Sequence, residues 1–205
     1  MKFKAPTTLC LSGVTQSGKT TWIKKLIEYK KDMFDVPPTK IVYCYGVWQP
    51  AFVGMKDVLF HKDLPSASDI ETYADGSHVM LVLDDLMDSV VKSEEAQRLF
   101  VRGSHHKNMT VLYVTQNMFY QGKCARTISL NCHYLVLFKN PRDHSQIQYL
   151  GRQIGLNKSL PEAYEDCMKE KFGYLVVDLH PHSIEGPKLF SHVFPYESLV
   201  SYVPL

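Results

Sequence analysis

The chain has 205 residues and a formal net charge of +2. This length suits one α/β domain with a full hydrophobic core, and the small net charge excludes a protein that attracts nucleic acid over its whole surface. No run approaches the roughly 18 apolar residues of a membrane span, and residues 1–6 lack the apolar core of a signal peptide. We therefore expect an intracellular protein without a membrane partner.

A motif with defined chemistry follows the first predicted strand, the apolar run at residues 7–12. Residues 13–20 read Gly-Val-Thr-Gln-Ser-Gly-Lys-Thr and fit the phosphate-binding pattern G-x-x-x-x-G-K-[ST] at every required position. Residues 21–31 then predict an amphipathic helix, so the motif lies between a strand and a helix, as its function requires. Main-chain N–H groups and the helix N-terminus bind phosphates in such a loop. The sequence therefore predicts a nucleoside triphosphate site.

The residues of this loop have separate predicted roles. Lys19 would contact the β- and γ-phosphates, and the Thr20 hydroxyl would hold Mg²⁺. The residues expected to contact the nucleotide are Gly13, Val14, Thr15, Gln16, Ser17, Gly18, Lys19, Thr20 and Thr21.

Along the rest of the chain, β-branched and aromatic runs alternate with helical patterns. The predicted strands are residues 40–45, 57–60, 79–83, 110–115, 134–139 and 174–178, the last of which closes the sheet. The predicted helices are residues 66–73, 93–105 with Ser93 as N-cap, 142–155 and 162–171. This alternation predicts an α/β fold with one central, mostly parallel sheet flanked by helices.

An apolar strand with an acidic end provides the expected second half of the site. Residues 79–83 are apolar at every position, as in a strand buried on both faces, and Asp84 and Asp85 follow directly. Because the carboxyl end of this strand lies beside the phosphate loop, Asp84 would hold Mg²⁺ together with Thr20. Asp85 would orient the attacking water. The alternative is that the two aspartates form an ordinary turn or helix start.

Gln116 follows the predicted strand at residues 110–115. If this strand lies between the first strand and the strand before Asp84, Gln116 comes next to the γ-phosphate. An amide there can donate to a phosphate oxygen and accept from water, and so sense hydrolysis. That strand order distinguishes hydrolytic motors from most small-molecule kinases. The alternative is a polar residue that simply ends a strand.

The five cysteines are odd in number and three lie in or beside predicted strands, which favours reduced, buried thiols. They are Cys10, Cys44, Cys124, Cys132 and Cys167. A zinc site at Cys124, Cys132 and His133 is a weaker interpretation, because no C-x-x-C pair is present.

Six segments together resemble a known family. They are residues 13–20, 83–85, 102–106, 114–117, 126–131 and 138–143. The combination is similar to the DNA-packaging ATPases of large DNA viruses, such as poxviruses and giant viruses, and of Maverick/Polinton elements. These belong to the FtsK/HerA branch of the additional-strand, RecA-like P-loop ATPases. The resemblance covers about residues 7–181, which leaves residues 182–205 as a C-terminal extension of a single domain.

The resemblance implies a homo-oligomeric ring that hydrolyses ATP, with Mg²⁺, to drive double-stranded DNA into a capsid, with a capsid or portal protein as partner. In this family the second acidic position is usually Glu, and here it is Asp85, whose shorter side chain would have to hold the water closer. Ring ATPases commonly take an arginine from the neighbouring subunit. Arg102 and Arg126 are the better candidates, while Arg142 could equally pair with Asp143 or with a neighbour.

Basic residues near these motifs are the candidates for sequence-independent contact with the DNA backbone. They are Arg102, His105, His106 and Lys107, and on the first helix Lys24, Lys25, Lys30 and Lys31. The helix lysines could also be merely solvated. Trp48, in the loop after the second strand, could be a subunit contact or a core anchor.

Two other function classes remain open. A nucleoside or nucleotide kinase would share Lys19, Thr20 and Asp84, although neither paired C-x-x-C ligands nor an arginine-rich lid is evident in the sequence. A nucleotide-binding switch or scaffold with little hydrolysis is favoured if Asp85 cannot position water.

Overall fold

One mixed sheet organises the chain. The structure is a computed structural model that describes residues 1–118, 123–141, 144–183 and 188–203, with the backbone alone at residues 102, 103, 105 and 123–126. Its strands are β1 (Thr8–Ser12), β2 (Lys40–Tyr45), β3 (Val58–Lys62), β4 (Val79–Asp84), β5 (Met109–Thr115), β6 (Tyr134–Phe138), β7 (Tyr174–Asp178), β8 (Leu189–Ser191) and β9 (Val200–Tyr202).

The order of these strands is β3-β2-β4-β5-β1-β6-β7-β8-β9. Strands β1 to β6 are mutually parallel, and β7, β8 and β9 add in antiparallel pairs. The predicted α/β class with a mostly parallel sheet is confirmed, and so is the position of β5 between β1 and β4. The prediction that residues 174–178 close the sheet is wrong, because β8 and β9 extend it beyond β7. Each has three residues, too short for an apolar run to reveal.

The predicted helices are present with shifted ends or as shorter pieces, and two further helices, Met87–Val90 and Lys123–Leu130, have no predicted counterpart. The helices are α1 (Lys19–Glu28), α2 (Lys30–Met33), α3 (Ala67–Tyr73), α4 (Met87–Val90), α5 (Glu94–Arg98), α6 (Ser104–His106), α7 (Lys123–Leu130), α8 (Ser145–Gln153) and α9 (Ser159–Cys167), with a 3₁₀ turn at Pro50–Phe52. A π-helical turn at Leu99–Gly103 joins α5 to α6. Ser93 is the N-cap of α5, as predicted, and accepts a hydrogen bond from the Ala96 N–H at 3.1 Å.

Helix α1 begins two residues earlier than predicted, because the phosphate loop turns directly into it at Gly18, whose φ is +107°. Its apolar stripe, Trp22, Ile23, Leu26 and Ile27, is buried. These side chains, together with Phe3 and Phe34, form the apolar layer on one face of the sheet.

The other face of the sheet is covered by residues from α3, α5, α8 and α9. Leu99 and Phe100 are the predicted inward side chains of the helix at residues 93–105. Both lie in the π-helical turn and are buried in this second layer, as expected. Every residue of β4 is buried. The site-bearing strands β1, β4 and β5 are therefore held from both faces, which fixes the positions of the loops at their carboxyl ends.

Candidate active site

A cleft of about 860 Å³ lies at the carboxyl ends of β1, β4 and β5. Residues from both predicted halves of the site line it. Those anticipated from the sequence are Thr15, Gln16, Gly18, Lys19, Thr20, Thr21, Asp84, Asp85 and Gln116. The structure thus brings the phosphate loop, the acidic end of β4 and the residue after β5 into one space.

The phosphate loop is packed between two strands. The Gly13 N–H donates to the Thr115 carbonyl of β5 at 3.2 Å. A Cβ added at Gly13 would lie 2.6 Å from the Cβ of Phe138, at the end of β6, so only glycine fits between these strands. Inside the loop, the Ser17 N–H donates to the Val14 carbonyl at 3.2 Å. These contacts fix the curl of the loop between the ends of β5 and β6. In such a curl, main-chain N–H groups can bind phosphate.

The Lys19 ammonium lies within this curl. It donates to the carbonyl of Val14 at 2.9 Å and to that of Gly13. Burial lowers the pKa of Lys19, and the negative charges of Asp84 and Asp85 act against that shift. The lysine is therefore held beside both aspartates.

Asp84, at the end of β4, is buried with 5% of its surface exposed. The Tyr43 hydroxyl of β2 donates to its Oδ2 at 2.7 Å. Burial raises the pKa of Asp84, while this hydrogen bond and the charge of Lys19 lower it. Sequence reasoning missed Tyr43; the available signal was a polar-tipped residue in the apolar strand that pairs with β4.

The loop after β2 also reaches the site. Thr20 Oγ1 donates to Gln49 Oε1 at 3.5 Å, a contact that the sequence did not predict. Gly46 N–H donates to the Asp84 carbonyl at 3.2 Å. A Cβ at Gly46 would lie 2.4 Å from the Asp85 carbonyl oxygen, so this loop packs directly on the turn that carries Asp85.

Asp85 itself is exposed and has a φ of +57°. Aspartate tolerates this left-handed conformation better than most residues. The conformation allows Asp85 to leave the line of β4 and enter the cleft. Gln116 is likewise exposed and lines the cleft beside Thr115.

The arginine candidates lie outside what the structure describes. The side chains of Arg102 and Arg126 are not described, and Arg142 lies in an undescribed segment with Asp143. The side chain of His105 is not described either. His106 and Lys107 line a separate cavity against α3 and α5, where Lys107 forms an ion pair with Glu71.

The remaining candidates lie on the surface of the described part. Lys24 and Lys25 are exposed on α1, and Lys25 Nζ lies 2.8 Å from Glu197 Oε1. Trp48 is half-exposed and its ring contacts those of Tyr45, Phe52 and Phe60. Trp48 thus packs into an aromatic cluster at the surface, and the rest of its side chain is exposed to solvent.

The described cysteines are buried free thiols at positions 10, 44, 132 and 167. The Cys132 thiol donates to the Ile128 carbonyl at 3.2 Å, and the Cys124 side chain is outside the described set. Among the residues that the structure describes, no three His, Cys, Asp or Glu side chains are grouped so as to hold a metal ion. No described helix is long and apolar enough to cross a bilayer.

The residues of the cleft fit a triphosphate and a magnesium ion. Ser17 Oγ is buried and has no hydrogen-bond partner among the described residues, and Ser17 is not one of the residues that line the cleft. The Thr20 hydroxyl and the Asp84 carboxylate are oxygen ligands of the kind that Mg²⁺ prefers, and both line the cleft. Thr20 and Asp84 would hold the ion, and Lys19 the phosphates.

Solved structures share the architecture of the whole chain. The DNA-packaging ATPase B204 from Sulfolobus turreted icosahedral virus is 13% identical with a TM-score of 0.56, over 97% of this chain and 98% of that one. The genome packaging NTPase B204 from Sulfolobus turreted icosahedral virus 2, in complex with ATP-gammaS, is 13% identical with a TM-score of 0.53, over 97% and 98%. The chain has the fold of P-loop ATPases.

A third solved structure with a similar fold comes from a secretion ATPase. The cytoplasmic domain of the Type VII secretion ATPase EccC from Thermomonospora curvata is 15% identical with a TM-score of 0.54, over 95% of this chain and 25% of that one. The sequence matches no protein-family model and no curated protein. The resemblance inferred from the motifs is therefore supported at the level of the fold.

Proposed function

We propose that this chain is a magnesium-dependent ATPase that moves double-stranded DNA as a ring of identical subunits. The observation that carries the ATPase part is the single cleft lined by Lys19 and Thr20 from the phosphate loop and by Asp84, Asp85 and Gln116 from β4 and β5. Both B204 structures belong to proteins named as packaging ATPases or NTPases, which supports a packaging role for the same fold here.

Each side chain of the cleft has a distinct part in the proposed reaction. Lys19 and the loop N–H groups bind the phosphates and offset their negative charge. Magnesium, held by Thr20 and Asp84, supplies further charge neutralisation when bound. Asp85 orients the attacking water and accepts its proton, and Gln116 hydrogen-bonds at the terminal phosphate.

An arginine from the neighbouring subunit completes the proposed site. Arg102 and Arg126 are the first candidates and Arg142 the third, because a ring ATPase gains its last positive charge on assembly. The basic residues at positions 105–107, together with Lys24, Lys25, Lys30 and Lys31, are the proposed contacts to the DNA backbone. A capsid or portal protein is the proposed partner of the ring.

The position of β5 between β1 and β4 favours hydrolysis over transfer to a small acceptor. It brings Gln116 to the cleft, where a residue can respond to loss of the terminal phosphate. We therefore place the kinase second to the motor.

The first test is a lysine substitution in the loop. Lys19→Ala should weaken ATP binding and abolish hydrolysis, because it removes the cation beside Gly13 and Val14. Lys56→Ala, which removes an exposed lysine outside the cleft, is the control and should behave as the wild type. Isothermal titration and phosphate release measure the two effects. Hydrolysis at the wild-type rate in Lys19→Ala would overturn the assignment of the loop.

A further inference from the structure

A second cavity of about 300 Å³ adjoins the cleft. Three residues line both spaces, namely Gly18 and Thr21 at the start of α1 and Phe172 in the turn before β7. Any group attached to a triphosphate in the loop must leave the cleft along one of its borders. At this border the cleft continues into a space of the size that small-molecule sites have.

Phe172 separates the two spaces and is available to a ligand. It is the one aromatic side chain among the described residues that line the cleft, and 60% of its surface is exposed. A built Cβ on Gly18 would lie 3.5 Å from the Cβ and Cδ1 of Phe172, so the aromatic side chain lies directly beside the phosphate loop. Lys171 Nζ lies 5.3 Å from the ring centroid, which adds a cation at the same border.

The backbone holds this ring in a strained position. Phe172 has a φ of +62°, which is rare for a bulky residue and costs free energy. The next residue, Gly173, has no space for a side chain, since a Cβ there would overlap the carbonyl oxygen of Cys167. The turn from α9 into β7 is thus closely packed, and it directs Phe172 to the surface instead of the core.

Several polar side chains of the cavity already have hydrogen-bond partners within it, whereas a ring nitrogen of His192 has none among the described residues. Glu197 accepts hydrogen bonds from Lys25 at 2.8 Å and from Tyr174 at 2.9 Å. These three side chains line the cavity and are already paired with each other. His192 Nε2 lies 3.0 Å from Glu170 Oε2. Its other ring nitrogen, Nδ1, is buried and has no hydrogen-bond partner within the described residues. A buried nitrogen without a partner is the exception in folded proteins and suits a ligand with polar edges.

We propose that this cavity binds the nucleoside of the triphosphate, with its base stacked on Phe172 and its polar edge facing His192. The proposal rests on the proposed binding of a nucleoside triphosphate at the cleft. An aromatic side chain stacks on the face of any base, and a purine offers the larger area for stacking.

The test compares a ligand that has a base with one that lacks it. ATP and inorganic tripolyphosphate, each with Mg²⁺, are titrated by calorimetry into the full-length wild type, Phe172→Ala and Phe172→Trp. We expect Phe172→Ala to weaken ATP binding about 5- to 150-fold, the range for loss of one stacked base. Tripolyphosphate affinity should stay within about twofold, and Phe172→Trp should retain ATP affinity.

Tyr196→Ala is the matched control. Tyr196 is an aromatic residue with a φ of +70° and 98% of its surface exposed. It shares the strained backbone of Phe172 and lines neither space. Both ligands should bind this variant as they bind the wild type.

Four results would overturn the proposal. Loss of both ligands in Phe172→Ala would mean that the ring only supports the loop, and unchanged ATP binding would mean that the base lies elsewhere. Wild-type affinity that is equal for ATP and tripolyphosphate would show that the base adds nothing. If the wild type binds neither ligand, the proposed function itself fails, and the nucleoside site fails with it. Tripolyphosphate binding thus separates the two failures.

Discussion

Asp84 is a carboxylate whose proposed role conflicts with its surroundings. A magnesium ligand has to be ionised, yet burial at the end of β4 raises the pKa of Asp84 and so favours the neutral acid. The Tyr43 hydroxyl opposes this effect by donating to Oδ2 at 2.7 Å. The charge of Lys19 acts in the same direction. Tyr43 therefore favours the ionised form of Asp84 and fixes the orientation of its carboxylate.

Tyr43→Phe should reveal this contribution. We expect the free energy of unfolding to fall by about 1.5–3 kcal/mol, the usual worth of a hydrogen bond to a charged group. The Mg²⁺ concentration for half-maximal nucleotide binding should rise, which a purely structural defect would not cause. Urea denaturation and titration with Mg²⁺ measure the two effects. Tyr45→Phe, on the same strand, is the control, and an equal effect there would contradict the role given to Tyr43.

Asp85 permits a prediction that separates binding from chemistry. Asp85→Asn keeps the size of the side chain but removes the carboxylate that accepts a proton. We expect kcat for ATP hydrolysis to fall by about 10²- to 10⁴-fold with little change in ATP affinity. Asp88→Asn, which alters another carboxylate of the same cleft, should have a small effect. If Asp88→Asn is the variant that stops turnover, the role belongs to Asp88.

At the scale of elements, His78 links strands that carry the site. It directly precedes β4, and its Nδ1 lies 2.8 Å from the Val36 carbonyl while Nε2 lies 2.8 Å from Thr110 Oγ1 of β5. Since a carbonyl only accepts, Nδ1 carries a proton, whereas the Thr110 hydroxyl can either donate to Nε2 or accept from it. Because burial disfavours the charged imidazolium, the folded protein favours neutral His78.

The preference for neutral His78 predicts how the free energy of unfolding depends on pH. Burial lowers the pKa of His78 below its ordinary 6.5, and hydrogen bonds to backbone carbonyls and the charge of Asp35 oppose that shift only in part. Below about pH 6.5 the unfolded chain binds the extra proton and the folded chain does not. Stability is thus complete above that pH and falls as the pH drops towards the folded pKa.

The measurement is the urea midpoint at several pH values between about 5 and 8. His78→Gln should lose part of the wild-type decrease at low pH, because its amide does not titrate. His106→Gln, which alters an exposed histidine, should keep the wild-type profile. Identical pH profiles for the wild type and His78→Gln would show that His78 does not contribute.

The elements that the sequence predicts well are those with long apolar runs. Residues 40–45 and 174–178 form strands with the predicted bounds, since burial on both faces leaves a continuous apolar signal. Strands β8 and β9 depend on pairing with β7 and with each other, which no local pattern encodes. The π-helical turn at Leu99–Gly103 interrupts a helix that local propensity predicts as continuous.

The same distinction holds for the candidate site. Lys19, Thr20 and Asp84 could be found from spacing because one loop and one strand end carry them. Tyr43 and Phe172 reach the site only through the sheet order and through the turn after α9, so they belong to tertiary structure. The arginine that would complete the site in a ring depends on a second subunit, which a single sequence does not place.

At the scale of the whole molecule, the proposed function depends on assembly. Duplex DNA should raise the rate of ATP hydrolysis several-fold or more, because contact with the backbone orders the ring around its substrate. The solution mass should be several times the 23.5 kDa of one chain. Phosphate release with and without DNA of unrelated sequences, together with light scattering, measures both. A monomer whose hydrolysis is insensitive to DNA would contradict the motor and favour the switch.

The central position of β1 has a consequence for the order in which the protein forms. Thr8 pairs with Val111, and Leu9 pairs with Tyr134. Both neighbours of β1 therefore come from segments that lie much later in the sequence. During synthesis the phosphate loop leaves the ribosome long before the strands that hold it. Pairing at such sequence separation is slow, because loop-closure entropy is lost before contacts form. A nucleotide at the proposed site would therefore stabilise the finished domain more than its earliest folding steps.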